Sequence, residues 1–483
     1  MKNCKTMTLL LLCAALLAAC GESDGETSNT TAADTPGTET TAELTDGLTG
    51  YDFDGRTFKI VYSADQLGSA WPYDVEEANG DILNDKVYAR NAAVEERFNV
   101  VLEYYNVGGT GGEVPSAFRS SVLAADSDIQ LAISHTFNQV AAMLSEGSLA
   151  DFLNIPNIDL DKPWWNASIR DNLTIGGILP IAVSDLVYSY ADVIFVNREM
   201  MENFKLDDTY DLVFEGRWTW GKLAEMAKAV AADLNGDGEY TDADQYGFVF
   251  PGETGSLSAR VIHSNGMLLA KADDDGMPEL ITISERLQNT VERYYDLLYT
   301  GNQSYISKEK TAVQMFGEGS ALFMHQTTLQ LPSMRNVDVN FGIVPLPKYD
   351  EAQETYQSML SSQILLIPNT TDDELEFIGT ITEALSYESW KHVTPAVYES
   401  IFESKYLRDA TSYEMYQQIR DSLVCDFNWN YGGSNDLTYM MLRMVIEQKS
   451  TDAASWLATC TPSIEEKFAV LTEEVAKIYG NNN

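Results

Sequence analysis

Four histidines in 483 residues leave little room for imidazole chemistry. His135, His263, His325 and His392 stand apart in the chain, with none in an H-E-x-x-H run and no two at i, i+4 spacing. C-x-x-C is absent, which removes the usual thiolate zinc and redox pairs. The folded part from residue 51 holds neither a G-x-S-x-G elbow nor a complete P-loop. GGTGG at 108–112 follows a strand signal but lacks dinucleotide-fingerprint spacing, and reads as a flexible loop. Basic residues are also scarce: 31 Lys and Arg face 73 Asp and Glu, for a net charge of −42. A surface this acidic repels nucleic-acid phosphates and anionic lipids, so neither is expected as a partner. Beyond the N-terminus, no apolar run approaches the ~20 residues of a membrane span.

The N-terminus, MKNCKTMTLLLLCAALLAAC, supplies a positive Lys2/Lys5 region and an apolar stretch from Leu9 to Leu17. It is too short to span a bilayer and has the form of a secretory signal over 1–20. It ends Leu17-Ala18-Ala19-Cys20, a bacterial lipobox pattern in which the cysteine is lipidated and becomes the new N-terminus. Residues 21–50 hold nine Thr and seven acidic residues, with no aromatic, Lys or Arg. Such a segment has too little apolar surface to order itself. As a disordered tether it would reach about 30 Å, scaling with the square root of its length. Anchor and spacer together place the working part outside the cell membrane. Of the five cysteines, Cys20, Cys425 and Cys460 remain in the mature chain, and the last two are either a bridge or two buried thiols.

From residue 51 the chain is long enough for two lobes. RTFKIVYS (56–63), NVVLEYYNV (99–107) and SDIQLAIS (127–134) read as strands. Helical spacing at 82–98, and a helix-like run from Glu113, fall between them. This alternation predicts an α/β fold with a parallel sheet.

ADLNGDGEYTDADQYGF (232–248) has the form of a calcium loop. Asp233, Asn235, Asp237, the Glu239 carbonyl, Thr241 and Asp244 stand where alternate side chains of a tight loop supply hard oxygens, and Gly238 permits the turn. WTWGKLAEMAKAV before it reads as a helix, but QYGFVFP after it reads as a strand. A sensor needs two helices whose angle changes on binding. Half a hand predicts a structural Ca2+ clamp instead.

Aromatics are abundant, with 8 Trp and 25 Tyr. Flat rings stack on sugar faces while Asp, Asn, Gln and Arg bond the hydroxyls. Four clusters in polar stretches are the candidate ligand residues: Asp65 with Trp71, Trp164 with Trp165, Asp185 with Tyr188, and Trp429 with Tyr431. Trp218, Trp220, Trp390 and Trp456 sit in helical patterns and are assigned to the core. With 73 carboxylates, chance pairs at glycosidase-like separations carry no information.

Several stretches, in order, resemble the extracellular solute-binding proteins of ABC sugar importers, of the maltose-binding kind. They are the lipobox with its Thr-rich spacer, WTWGKLAEMAKAV running into DLNGDGEYTDADQYGF, MFGEGSALFMHQ ahead of FGIVPLP, and the hinge-like LPIAVSDL and SMLSSQILLIP. The resemblance implies a two-lobed periplasmic-binding-protein-like fold of class II type, with hinges near Val183-Ser184, His325-Gln326 and Ser361-Ser362. Lobe 1 would then be 51–183 with 326–361, and lobe 2 would be 184–325 with 362–483. It also implies a monomer that captures an oligosaccharide, passes it to ABC permease subunits and performs no catalysis. Alternatives of other kinds are an extracytoplasmic glycan hydrolase and a glycan-capture lipoprotein without a transporter.

Overall fold

The structure, a computed structural model, describes residues 44–67, 72–110, 112–124, 128–135, 139–187, 189–252, 255–273, 276–401, 410–433 and 435–480. The signal segment, Cys20, the tether up to 43, Trp71 and Tyr188 lie outside the described residues. The chain from residue 45 onward forms one compact unit. Residues 45–50, assigned from sequence to the disordered tether, dock on this unit. The Asp46 carboxylate accepts both guanidinium N–H groups of Arg97, at 2.6 and 2.8 Å, and Leu48 is buried.

In chain order the strands are β1 Arg56–Tyr62, β2 Val100–Asn106, β3 Leu131–His135, β4 Ser189–Tyr190, β5 Asp192–Asn197, β6 Tyr246–Phe250 and β7 Ala270–Ala272. There follow β8 Pro278–Leu280, β9 Ser304–Ile306, β10 Ala321–Thr327, β11 Phe341–Pro345, β12 Ser358–Met359, β13 Ser361–Leu366 and β14 Leu423–Val424. Ten of them build two five-stranded mixed sheets, in the orders β2-β1-β3-β13-β4 and β11-β5-β10-β6-β9, and β7-β8 and β12-β14 form two further pairs. β1 runs parallel to β2 and β3, as the strand–helix alternation predicted, and β13 adds antiparallel to β3. In the second sheet β6 is parallel to β9 and β10, while β5 is antiparallel to β10 and β11.

The helix Ile82–Phe98 begins where the Asp81 side chain caps the Asn84 N–H and ends at Asn99 in the left-handed region. Its buried Val87, Val94 and Phe98 recur at helical spacing against the sheet. The chain passes from the first sheet to the second between Tyr190 and Asp192, and returns between β11 and β13. The sequence reading placed 326–361 with the first lobe. Phe341–Pro345 instead pairs with β5 in the second sheet, and Ser361–Leu366 pairs in the first. Both runs are short and apolar, so only long-range pairing distinguishes them.

Gly247 in β6 shows how closely the layers pack. A Cβ there would lie 2.0 Å from the Ala227 carbonyl oxygen of the helix Trp220–Val230. Gly247→Ala is expected to cost about 1–3 kcal/mol through forced backbone separation, measured by chemical denaturation. Trp218 and Trp220 are core residues, as assigned. Cys425 and Cys460 are buried free thiols rather than a bridge, and burial pushes the Cys425 thiol up to about 12.

Candidate functional site

A cavity of about 650 Å³ opens at the crossing between the two sheets. One wall is the turn at 163–168, which leads into a short helix capped by the Asn166 side chain on the Ser168 N–H. Val183, Ser184, Asp185, Val187 and Ser189, from the segment leading into the crossing, form the floor. The helix Thr394–Ile401, packed on the helix Ile82–Phe98, faces the helix Ala410–Asp421, packed on β11. The cavity therefore lies between elements attached to different sheets, where relative movement of those elements would change its shape.

Its lining mixes flat rings with hydrogen-bonding groups. Trp390 is half-buried, and its ring centroid lies 5.6 Å from that of Trp164. Tyr398 and Tyr416 bring aromatic surface from the two facing helices, and Gln417, Arg420 and Asp421 bring polar ends. Asp185 sits on the floor. Its Oδ1 accepts from Arg420 Nη2 at 2.8 Å and from Thr394 Oγ1 at 3.0 Å. Burial holds the Asp185 carboxyl above its usual range, while the Arg420 charge and both hydrogen bonds oppose this. The other oxygen, Oδ2, is buried and, among the described residues, accepts no hydrogen bond. A buried acceptor left open costs free energy unless a donor from outside satisfies it.

Of the sequence candidates, the structure brings Trp164, Trp165 and Asp185 to this one cavity. The two tryptophans offer it little surface: they are 1% and 5% exposed, and both indole N–H groups donate to Glu383, at 2.9 and 2.8 Å. Asp65 lies elsewhere. It is exposed in the short 3-10 helix Ala64–Leu67 after β1, where its Oδ2 accepts the Gly109 N–H. Trp429 and Tyr431 are not loop residues. They occupy a buried helical turn, Asn428–Gly432, where the Tyr431 hydroxyl donates to the Leu173 carbonyl and Arg260 lies over the Trp429 ring. Trp390 was assigned to the core, and Tyr398, Tyr416 and Arg420 were not singled out. Their helical spacing reads as packing, and nothing local shows that helices near 395 and 415 face residue 185.

The loop at 233–244 follows the helix Trp220–Val230 and is closed by paired Ala232 and Gln245 backbones, ahead of β6. The predicted helix and strand on either side are both present. Asp233 accepts the Gly236 and Gly238 N–H groups, and Asn235 and Asp237 accept those of Asp237 and Glu239. Asp244 is buried, and the N–H groups of Thr241 and Leu234 hold its carboxyl below the usual range. Gly236 and Gly238 take positive φ, 74° and 83°. Among the described residues no three carboxylate, imidazole or thiolate groups converge as metal ligands.

Two sheets joined by crossing strands, with a cavity at the crossing, define a two-lobed binding protein. The chain belongs to the bacterial extracellular solute-binding protein family, whose model matches residues 91–395, well over half of its length. The family works outside the cytoplasmic membrane. Solved structures agree on the fold. A cyclo/maltodextrin-binding protein complexed with maltotetraose aligns with a TM-score of 0.55 at 13% identity, covering 88% of this chain and 98% of that one. A family 1 extracellular solute-binding protein from Bifidobacterium longum subsp. infantis gives 0.52 at 14%, covering 86% and 100%. An ABC substrate-binding protein from Listeria monocytogenes, in complex with cycloalternan, gives 0.51 at 12%, covering 88% and 100%. Comparison with the curated proteins gives no match.

Proposed function

We propose that this protein captures an oligosaccharide in the cavity at the crossing and delivers it to the membrane subunits of an ABC importer. The observation that carries the proposal is the open Asp185 Oδ2 on the floor of an aromatic-walled cavity. A sugar hydroxyl is the donor that site lacks, and Trp390 offers a ring face for the sugar's apolar side. Solved structures with this fold in complex with maltotetraose and cycloalternan support the solute class. Capture is a population shift: a sugar touching both facing helices stabilises the closed arrangement, which the transporter recognises. The protein acts as a monomer and performs no chemistry on the sugar. Its export signal is removed, and lipid on Cys20 holds it at the membrane.

A thermal-shift screen of linear and cyclic oligosaccharides tests the class. Stabilisation by one sugar series with no product formed is expected, and consumption of the sugar would make the protein a hydrolase. Trp390→Ala is expected to weaken sugar affinity about 10-fold, or ~1.4 kcal/mol, by titration calorimetry.

Calcium is the second part of the proposal. The 233–244 loop carries the residue order of a calcium loop together with its two positive-φ glycines. Bound Ca2+ would clamp the turn between helix and strand, drawing carboxylates from the backbone N–H groups they accept. A chelator is expected to lower the melting temperature, and excess Ca2+ to restore it. An unchanged melting curve would remove calcium from the account.

A further inference from the structure

We propose that Glu383 is the positioning residue of the cavity's aromatic wall: its one carboxylate holds the indoles of both Trp164 and Trp165, and taking up a proton loosens its hold on one of them, so that solute capture responds to pH. The pH response of capture rests on the cavity being the solute site. The clasp itself does not.

Glu383 lies on the helix Asp372–Glu388 and is fully buried. Its two oxygens divide the work. Oε1 accepts from Trp164 Nε1 at 2.9 Å, and Oε2 accepts from Trp165 Nε1 at 2.8 Å and from the Asp159 backbone N–H at 3.4 Å. Two consecutive tryptophans at the cavity wall thus share one anchor from a distant helix. Trp164 also meets Tyr387 and Trp390, at ring-centroid distances of 5.1 and 5.6 Å, so its orientation bears on the ring the solute would use.

No cation is hydrogen-bonded to Glu383 among the described residues. From the facing 157–165 segment, the Asp159 carboxylate opposes its charge, and Lys162 is drawn to Asp159, at 3.6 Å. On its own helix the neighbouring titratable group is Tyr387, one turn on. From the crossing segment, Ser184 meets Ser386, and both are uncharged. Burial pushes the Glu383 carboxyl up to about 7, against the pull of the two indole hydrogen bonds. An indole nitrogen only donates, and an ionised carboxylate only accepts. The neutral acid brings its own O–H to a point where donors already converge, and its hydroxyl oxygen accepts more weakly than a carboxylate oxygen, so the indole on that oxygen is held less tightly.

The test is nitrogen-15 NMR of the tryptophan indoles in the full mature protein between pH 5.5 and 8.5. The Nε1–H signals are assigned with W164F and W165F. Both signals are expected to titrate together with a midpoint within about one unit of 7, while Trp218, bonded to the Pro345 carbonyl, stays still. In E383Q both signals should be flat. Flat signals in the wild type, or titration that survives in E383Q, would overturn the proposal. If E383Q fails to fold, the wild-type titration assigned by the two phenylalanine variants decides alone. The second readout is affinity for maltotetraose. It is expected to fall at least 5-fold from pH 8 to pH 6 in the wild type and to change less than 2-fold in E383Q. Titrating indoles without maltotetraose binding would uphold the clasp and count against maltodextrin as the solute. Binding with flat indoles would do the reverse.

Discussion

Replacing Asp192 by alanine is expected to remove about 3–5 kcal/mol of folding stability, the usual consequence of leaving one half of a buried ion pair behind. Asp192 is the first residue of β5, just past the crossing from the first sheet, and is fully buried. Arg260 Nη1 donates to both of its carboxylate oxygens, at 2.7 and 2.8 Å, and Arg260 is itself 3% exposed. His325 Nε2 lies 3.5 Å from the same carboxylate. Without Asp192, the guanidinium would stay buried with no counter-charge. Asp192 also shares its backbone with the second crossing, since its N–H donates to Ser358 Oγ of β12. The damage should therefore fall on the hinge as well as on the core. Guanidinium denaturation measures the loss, and a change below about 1 kcal/mol would show that the pair is weakly coupled to folding.

The second large effect concerns pH and involves two groups of opposite sign. Burial raises the Glu383 carboxyl from 4.5 to about 7, so the folded chain holds a proton there that the unfolded chain has lost. Stability from Glu383 is fully present below pH 4.5 and is lost as pH rises to about 7. His135, at the end of β3, is lowered from 6.5 to about 4, first by burial and then by the Arg260 charge. Below pH 6.5 the unfolded chain takes a proton that the folded chain refuses, so stability is lost as pH falls towards 4. Each displacement corresponds to ~3 kcal/mol, somewhat less for the partly accessible His135. Between pH 4.5 and 6.5 the two slopes oppose one another, and their sum is nearly flat. Glu383→Gln should unmask the histidine slope, with stability falling as pH drops. His135→Asn should unmask the reverse. Denaturation free energies at half-unit steps from pH 4.5 to 7.5 test this, and parallel curves for all three proteins would contradict it.

The local elements were the legible part. Helix 82–98 was readable because its apolar residues recur at helical spacing. The three opening strands were readable because each is a short apolar run between turns. Sheet membership was less accessible. β11 and β13 are similar apolar strands 15 residues apart, and their pairing depends on strands more than 140 residues away. The polar stretch DFNWNYGGSND misled in a different way. Asp426 accepts the Trp429 and Leu269 N–H groups and meets His263, while Asn428 and Asn435 bond each other. With Asp426 bonded to His263 and the Leu269 N–H, and the two asparagines bonded to each other, that stretch packs inside and buries Trp429, although its composition resembles a loop. At the cavity, polar turns exposed Trp164, Trp165 and Asp185 to sequence reasoning. Trp390 and Arg420 were hidden by their place in helices some 200 residues from Asp185.

The most direct test of the account is a crystal structure of the protein with an oligosaccharide selected by the thermal-shift screen. The account predicts sugar density in the cavity at the crossing, one ring against Trp390 and a hydroxyl donating to Asp185 Oδ2. Sugar density at the carboxyl end of β1 beside Asp65, with the cavity empty of sugar, would contradict it.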